Sequence, residues 1–170
     1  EKEKKALEKK KAKPPEIEIE KEAKKPVPEG PSFTLKELTI TGALRFKSED
    51  LKPLYASYLD KTVNFKDLEA IAKRIEEKYD AKGYLTTTVY IPEQPLKDGK
   101  VEITVVEGKT GDVKVEGNKW FPADLLKKWL HLKKNDVLNI LKLQKDALRI
   151  NQNPDLQARA VLEAVKNSPG

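Results

Sequence analysis

Displaced by 75 positions, this chain partly superimposes on itself, and that internal repeat restricts the fold more than any other feature. Leu38 falls on Val113, Ile40 on Val115, Leu51 on Leu126, Leu54 on Trp129, Leu68 on Leu143, Ala72 on Ala147 and Ile75 on Ile150. Apolar positions return as apolar, Gly42 returns as Gly117, and Asn64 returns as Asn139. The chain should therefore hold two copies of one small unit. Units of this size bury so little of their surface that each is marginal alone.

The first copy is legible element by element. Phe33, Leu35, Leu38 and Ile40 suggest a strand over Thr34 to Thr41, closed by Gly42. Ser48 reads as an N-cap ahead of Glu49 and Asp50, with Pro53 tolerable only in a first turn. Leu51, Leu54, Tyr55 and Tyr58 recur at helical spacing. Thr62 to Phe65 reads as a connection. Lys66 to Lys82 carries Leu68, Ile71, Ala72, Ile75 and Tyr79 on one face and Glu76, Glu77 and Lys78 toward water, and Gly83 stops it. Tyr84 to Ile91 alternates with a period of two, as does Lys100 to Glu107, and Pro92, Pro95 and Asp98-Gly99 turn the chain between them. The order is β-α-α-β-β, an α+β fold in which two helices cover one face of a three-stranded sheet. In the second copy a strand is expected at Val113 to Glu116, helices near Pro122 to Leu130 and Lys142 to Asn151, and a strand near Leu156 to Val165. The counterpart of Lys100 to Glu107 would fall after Gly170. The second sheet should then need a strand from elsewhere.

The run Gly83-Tyr84, Thr86, Ile91-Pro92-x-Gln94, Gly99 and Glu107-Gly108 closely resembles the end of the first POTRA domain in two-partner secretion transporters. These TpsB outer-membrane proteins are of the hemolysin and filamentous-hemagglutinin secretion class. The resemblance implies a charged linker over 1–32, one POTRA domain over 33–109 and a second, lacking its last strand, over 110–170. It implies a periplasmic module that captures an unfolded exported partner protein of the TpsA type by β-augmentation and guides it to a C-terminal β-barrel outside this sequence. The edge strand for capture would be Tyr84, Thr86, Thr87, Thr88, Val89, Tyr90 and Ile91, and proline at Thr88 should remove an outward backbone group. Two alternatives are the POTRA region of a β-barrel assembly factor and a POTRA-type structural adaptor.

Composition narrows the rest. The net charge of +6 comes mainly from Lys interleaved with Glu, without an Arg or aromatic cluster, so no nucleic-acid partner is expected. There is no Cys, and His131 is the sole histidine, placed at a helix end. No cofactor, metal site or catalytic constellation is expected, and the reading is not an enzyme. No apolar run is long enough for a membrane-spanning helix, so contact with a membrane would come only through the barrel.

Overall fold

A computed structural model describes residues 32–95 and 98–163. The linker expected over 1–32 lies outside the described residues except for Ser32. The apolar residues at the start do not form one strand. Leu35 and Leu38 are both buried yet three apart, and a straight strand would send them to opposite faces. The chain breaks at Lys36 instead, where the N–H groups of Lys36 and Glu37 both donate to the Gly99 carbonyl, at 2.8 and 3.2 Å. On either side lie β1 (Phe33–Leu35) and β2 (Glu37–Thr41). β1 pairs antiparallel with β3 (Lys61–Val63), so the segment read as a connection at Thr62 supplies a short strand.

Between them, α1 (Ser48–Tyr55) begins one residue earlier than expected. Lys47 holds the cap position, and its N–H donates to the Asp50 carboxylate at 3.2 Å. Pro53 lies in the second turn, not the first, and its missing N–H leaves the Glu49 carbonyl without its helical donor. The longer α2 (Phe65–Ala81) follows the sequence pattern closely. Asn64 accepts from Asp67 N–H at 3.0 Å, and Asp67 accepts from Asn64 N–H at 2.9 Å, a reciprocal cap. Leu68, Ile71, Ala72, Ile75 and Tyr79 are its buried face, and Gly83 past its end has φ +89°.

β4 (Thr88–Tyr90) and β5 (Lys100–Val106) complete the main sheet, in the order β2-β5-β4. β5 lies in the middle, parallel to β2 and antiparallel to β4. Its alternation is as expected: Val101, Ile103 and Val105 join Leu38, Val89 and the apolar face of α2 in one core whose buried members all lie between Leu35 and Val105. A second, smaller set of buried residues, Val137, Leu138, Ile140, Leu143, Ala147 and Ile150, belongs to the other repeat.

In that repeat the two expected helices form, as α3 (Ala123–Trp129) and α4 (Ile140–Ile150). The strand expected at Val113 to Glu116 carries no ladder among the described residues, nor does the one expected near Leu156 to Val165 over 156–163, its last two positions lying outside the described residues. In the first copy, by comparison, β2 and β4 each pair with β5 and not with each other.

Candidate polypeptide-binding edge

A strand that might accept a client must lie at the rim of its sheet and turn backbone groups outward. β4 is at the rim, but it is shorter than the alternation implied: Tyr84 to Thr87 form a turn, with Tyr84 N–H bonded to Tyr79 carbonyl (3.0 Å) and Thr87 N–H to Tyr84 carbonyl (3.1 Å). The first of these bonds, with Gly83 N–H to the Asp80 carbonyl at 2.9 Å, closes α2 over its left-handed glycine, and the second adds a turn before the chain extends.

The seven residues expected on the edge are therefore dispersed. Tyr84 is half-buried, edge-on to Tyr79 (6.2 Å between ring centres), with the Arg45 guanidinium 6.0 Å from its own ring centre. Thr87 is buried rather than exposed, and Thr86 is half-buried with its hydroxyl covered. Only Thr88, Val89 and Tyr90 form the strand, with Thr88 and Tyr90 on the open face and the Val89 side chain in the core. Ile91 follows, half-buried against the core.

Phase decides which of these offers a backbone group. Pro92 cannot continue the ladder, having no N–H. The Gln94 side chain replaces it: its Nε2 donates to the Glu102 carbonyl (2.7 Å) and its Oε1 accepts from Glu102 N–H (2.8 Å). Glu102 thus faces the β4 side, and so, by alternation, do Thr104 and Val106, the partners of Tyr90 and Thr88. Val89, between them, turns outward. Proline at Thr88 would accordingly cut a bond to β5, not remove an outward group. Val89 N–H is already engaged: it donates to Glu76 Oε1 at 2.9 Å. Glu76, read from the sequence as a water-facing residue, is half-buried on the side of α2 next to β4. On the opposite rim, β2 engages β5 through Glu37, Thr39 and Thr41, as the Glu37–Gly99 bond fixes, and turns Leu38 and Ile40 outward. A cleft of about 470 Å³ lies at that end, lined by Ile40, Ala43, Phe46 and Leu51 among others.

Beneath the start of β4 lies a buried polar knot that the sequence reading passed over. Glu107 Oε1 accepts from the Tyr79 hydroxyl (2.7 Å), Leu44 N–H (2.8 Å) and Arg45 N–H (2.9 Å), and both Glu107 and Tyr79 are almost wholly buried. Burial, and the carboxylate beside it, hold the Tyr79 phenol protonated well above the usual tyrosine range. In the sequence the Glu107-Gly108 pair stands only as part of a motif. Its chemistry is a carboxylate tying β5, the end of α2 and the loop after Gly42 together.

The two repeats meet at the same place. Ile140 N–H donates to the Gly83 carbonyl and Leu138 N–H to the Gly108 carbonyl, each at 2.8 Å. Asn139 caps α4 through Lys142 N–H (3.0 Å), while its amide donates to the Lys82 carbonyl (2.9 Å). Arg45 is ion-paired with Asp136. The retained asparagine of the repeat thus caps a helix in both copies, and in the second it also fastens one unit to the other. His131 lies just past α3, with its Nδ1 2.9 Å from Asp146, which also accepts His131 N–H at 2.8 Å. That is a clasp between α3 and α4. Among the described residues no group of three His, Asp or Glu could hold a metal, and no helix is long and apolar enough to cross a membrane.

A mixed sheet with the last strand in its centre, two helices on one face and a second copy fastened to its end define a tandem POTRA module. Residues 33–108 match the family of ShlB-type POTRA domains, and residues 109–154 match the POTRA family described as surface antigen variable number repeat. The chain belongs to the POTRA family, its first unit of the ShlB type, and is homologous to TpsB outer-membrane transporters. It is 31% identical to the outer membrane transporter CdiB of Escherichia coli over 73% of this chain and 21% of that protein. It is 29% identical to the heme/hemopexin transporter protein HuxB of Haemophilus influenzae over 81% of this chain and 25% of that one. The solved structure of CdiB from Escherichia coli superimposes with a TM-score of 0.67 at 30% identity, over 89% of this chain and 27% of that chain. The chain thus spans about a fifth to a quarter of the length of these curated relatives.

Proposed function

We propose that this chain is the periplasmic capture module of a two-partner secretion transporter. It binds an unfolded, exported TpsA-type protein as an added strand along β4 and passes it to a β-barrel that follows in the same protein. It acts by binding, without catalysis or a cofactor. The reading divides the chain into a linker (1–32) and POTRA units at 33–109 and 110–170. One observation carries it. β4 lies at the rim of the sheet with α2 alongside and Val89 turned outward, so a client can add backbone bonds whatever its sequence. The kinship with CdiB and HuxB supports the choice of transporter over barrel-assembly factor or adaptor.

The test is site-specific photo-crosslinking. A photoreactive phenylalanine analogue replaces Tyr90, on β4, or Thr39, on β2, and the chain is mixed with a permanently unfolded, carboxymethylated protein. Crosslinks from position 90 that far exceed those from position 39 are expected. Crosslinks mainly from position 39, or equal and weak from both, would overturn the assignment of β4 as the capture edge.

A further inference from the structure

We propose that Glu76 guards the capture edge: its carboxylate holds the place that a client's carbonyl oxygen must take. The inference rests on β4 being the docking strand. β4 has three residues, and the antiparallel phase turns only the middle one, Val89, away from β5. The N–H of that residue donates to Glu76 Oε1 at 2.9 Å. Glu76 projects from α2, the helix beside the strand, and is half-buried there, so the bond is partly shielded from water. A charged acceptor makes a stronger bond than a neutral carbonyl does. Client docking is therefore an exchange: Glu76 leaves Val89, and the client's carbonyl replaces it.

Two consequences follow. Sequence-independent addition is weakened, which keeps the edge from pairing with any passing strand. The released carboxylate also stays beside the bound segment, so segments with a basic residue there are favoured and acidic ones are repelled. The guard thus sets client charge preference at an edge whose backbone bonds alone would be indifferent to sequence.

The test uses the full chain, fluorescent alternating Val/Thr peptides with Thr, Lys or Glu at the centre, and ¹⁵N NMR of the Val89 amide. Glu76→Ala should tighten binding of the Thr-centred peptide by about tenfold, the worth of one charge-assisted bond offset by the neutral one that replaces it. It should also erase the preference for Lys over Glu. Glu76→Gln, which keeps an acceptor on Val89 but no charge, should bind the Thr-centred peptide with an affinity between those of the parent and Glu76→Ala, and lose the Lys preference. If the Val89 amide shifts on peptide addition but affinity and charge preference are the same in parent and Glu76→Ala, the guard is refuted and the docking strand stands. If the Val89 amide does not move with any peptide in any variant, the docking strand fails, and the guard with it.

Discussion

Gly83 and Gly117 both have positive φ, +89° and +74°, but their surroundings differ completely. A Cβ at Gly117 would meet nothing within 4 Å, whereas one at Gly83 would lie 2.7 Å from Asn139 Oδ1 and 2.9 Å from Leu141 Cγ. Alanine at Gly117 should therefore cost only the left-handed backbone penalty, about 1 kcal/mol. Alanine at Gly83 should cost the same plus the displacement of the first turn of α4, an overpacking term of about 1–3 kcal/mol. The sum, about 2–4 kcal/mol, is a large share of what a domain of this size has to spare. Valine at Gly83 should be worse again, because its branched Cβ tolerates positive φ least.

The assay is urea unfolding of both alanine variants, followed by Trp fluorescence and by circular dichroism. Circular dichroism reports both units, whereas Trp120 and Trp129 both report the second unit. Gly83→Ala should loosen the second unit, since the residues displaced are Asn139 and Leu141, and Gly117→Ala should move the curves far less. Adding Asn139→Ala to Gly83→Ala should recover part of the loss by removing the nearest obstructing atom, although the lost helix cap has its own cost of about 1 kcal/mol. Equal destabilisation by the two glycine substitutions would refute the claim that Gly83 is a contact between units as well as a helix stop.

Three further outcomes are expected. Glu107→Ala should destabilise the first unit by about 3 kcal/mol or more, because it strips one acceptor from a buried hydroxyl and two N–H groups; a chemical denaturation midpoint close to the parent's would contradict the buried knot. Tyr79 supplies a pH signature. Its folded-state pKa is raised, so its contribution is complete below the unfolded value near pH 10 and is lost as pH climbs beyond it; Tyr79→Phe should be less stable at neutral pH and show a shallower alkaline loss. Gln94→Leu should cost about 1 kcal/mol and speed hydrogen exchange at the Glu102 amide, whose acceptor it removes; unchanged exchange there would show that Gln94 does not replace the ladder bond lost at Pro92.

What could be read from the sequence was what periodicity encodes. The apolar face of α2, the alternation of β5 and the glycine stop at Gly83 depend on one element at a time, and all three are present. The misreadings arose where two elements compete for the same residues. Tyr84 to Thr87 alternate correctly for a strand, but the helix end draws them into a turn. Leu35 and Leu38 are both apolar, but they belong to different ladders. The edge itself was the least legible part. Which residue turns outward depends on register against β5, and the acceptor on Val89 comes from Glu76, thirteen positions back on another element. Nothing local distinguishes Glu76 from its neighbour Glu77. One signal was available for Gln94: a polar side chain two residues past a proline, where a ladder bond is missing.

The sheet order carries a last consequence, for folding. β2 and β4 are formed earlier in the chain, yet neither has a mate until β5 enters between them. The strand made last therefore completes both ladders at once, and it also brings Glu107 to Tyr79 and Gly108 to Leu138. A chain ended before Lys100 should retain helical signal, from α1 and α2, but lose the β2-β5-β4 sheet entirely rather than by a third, keeping at most the β1–β3 ladder. A peptide of residues 99–108 added in trans should restore strand signal and bury Tyr79 together, because both depend on the same insertion. Restoration of one without the other would show that the β5 ladder and the Glu107 knot form independently, and the central placement of β5 would then not be what couples them.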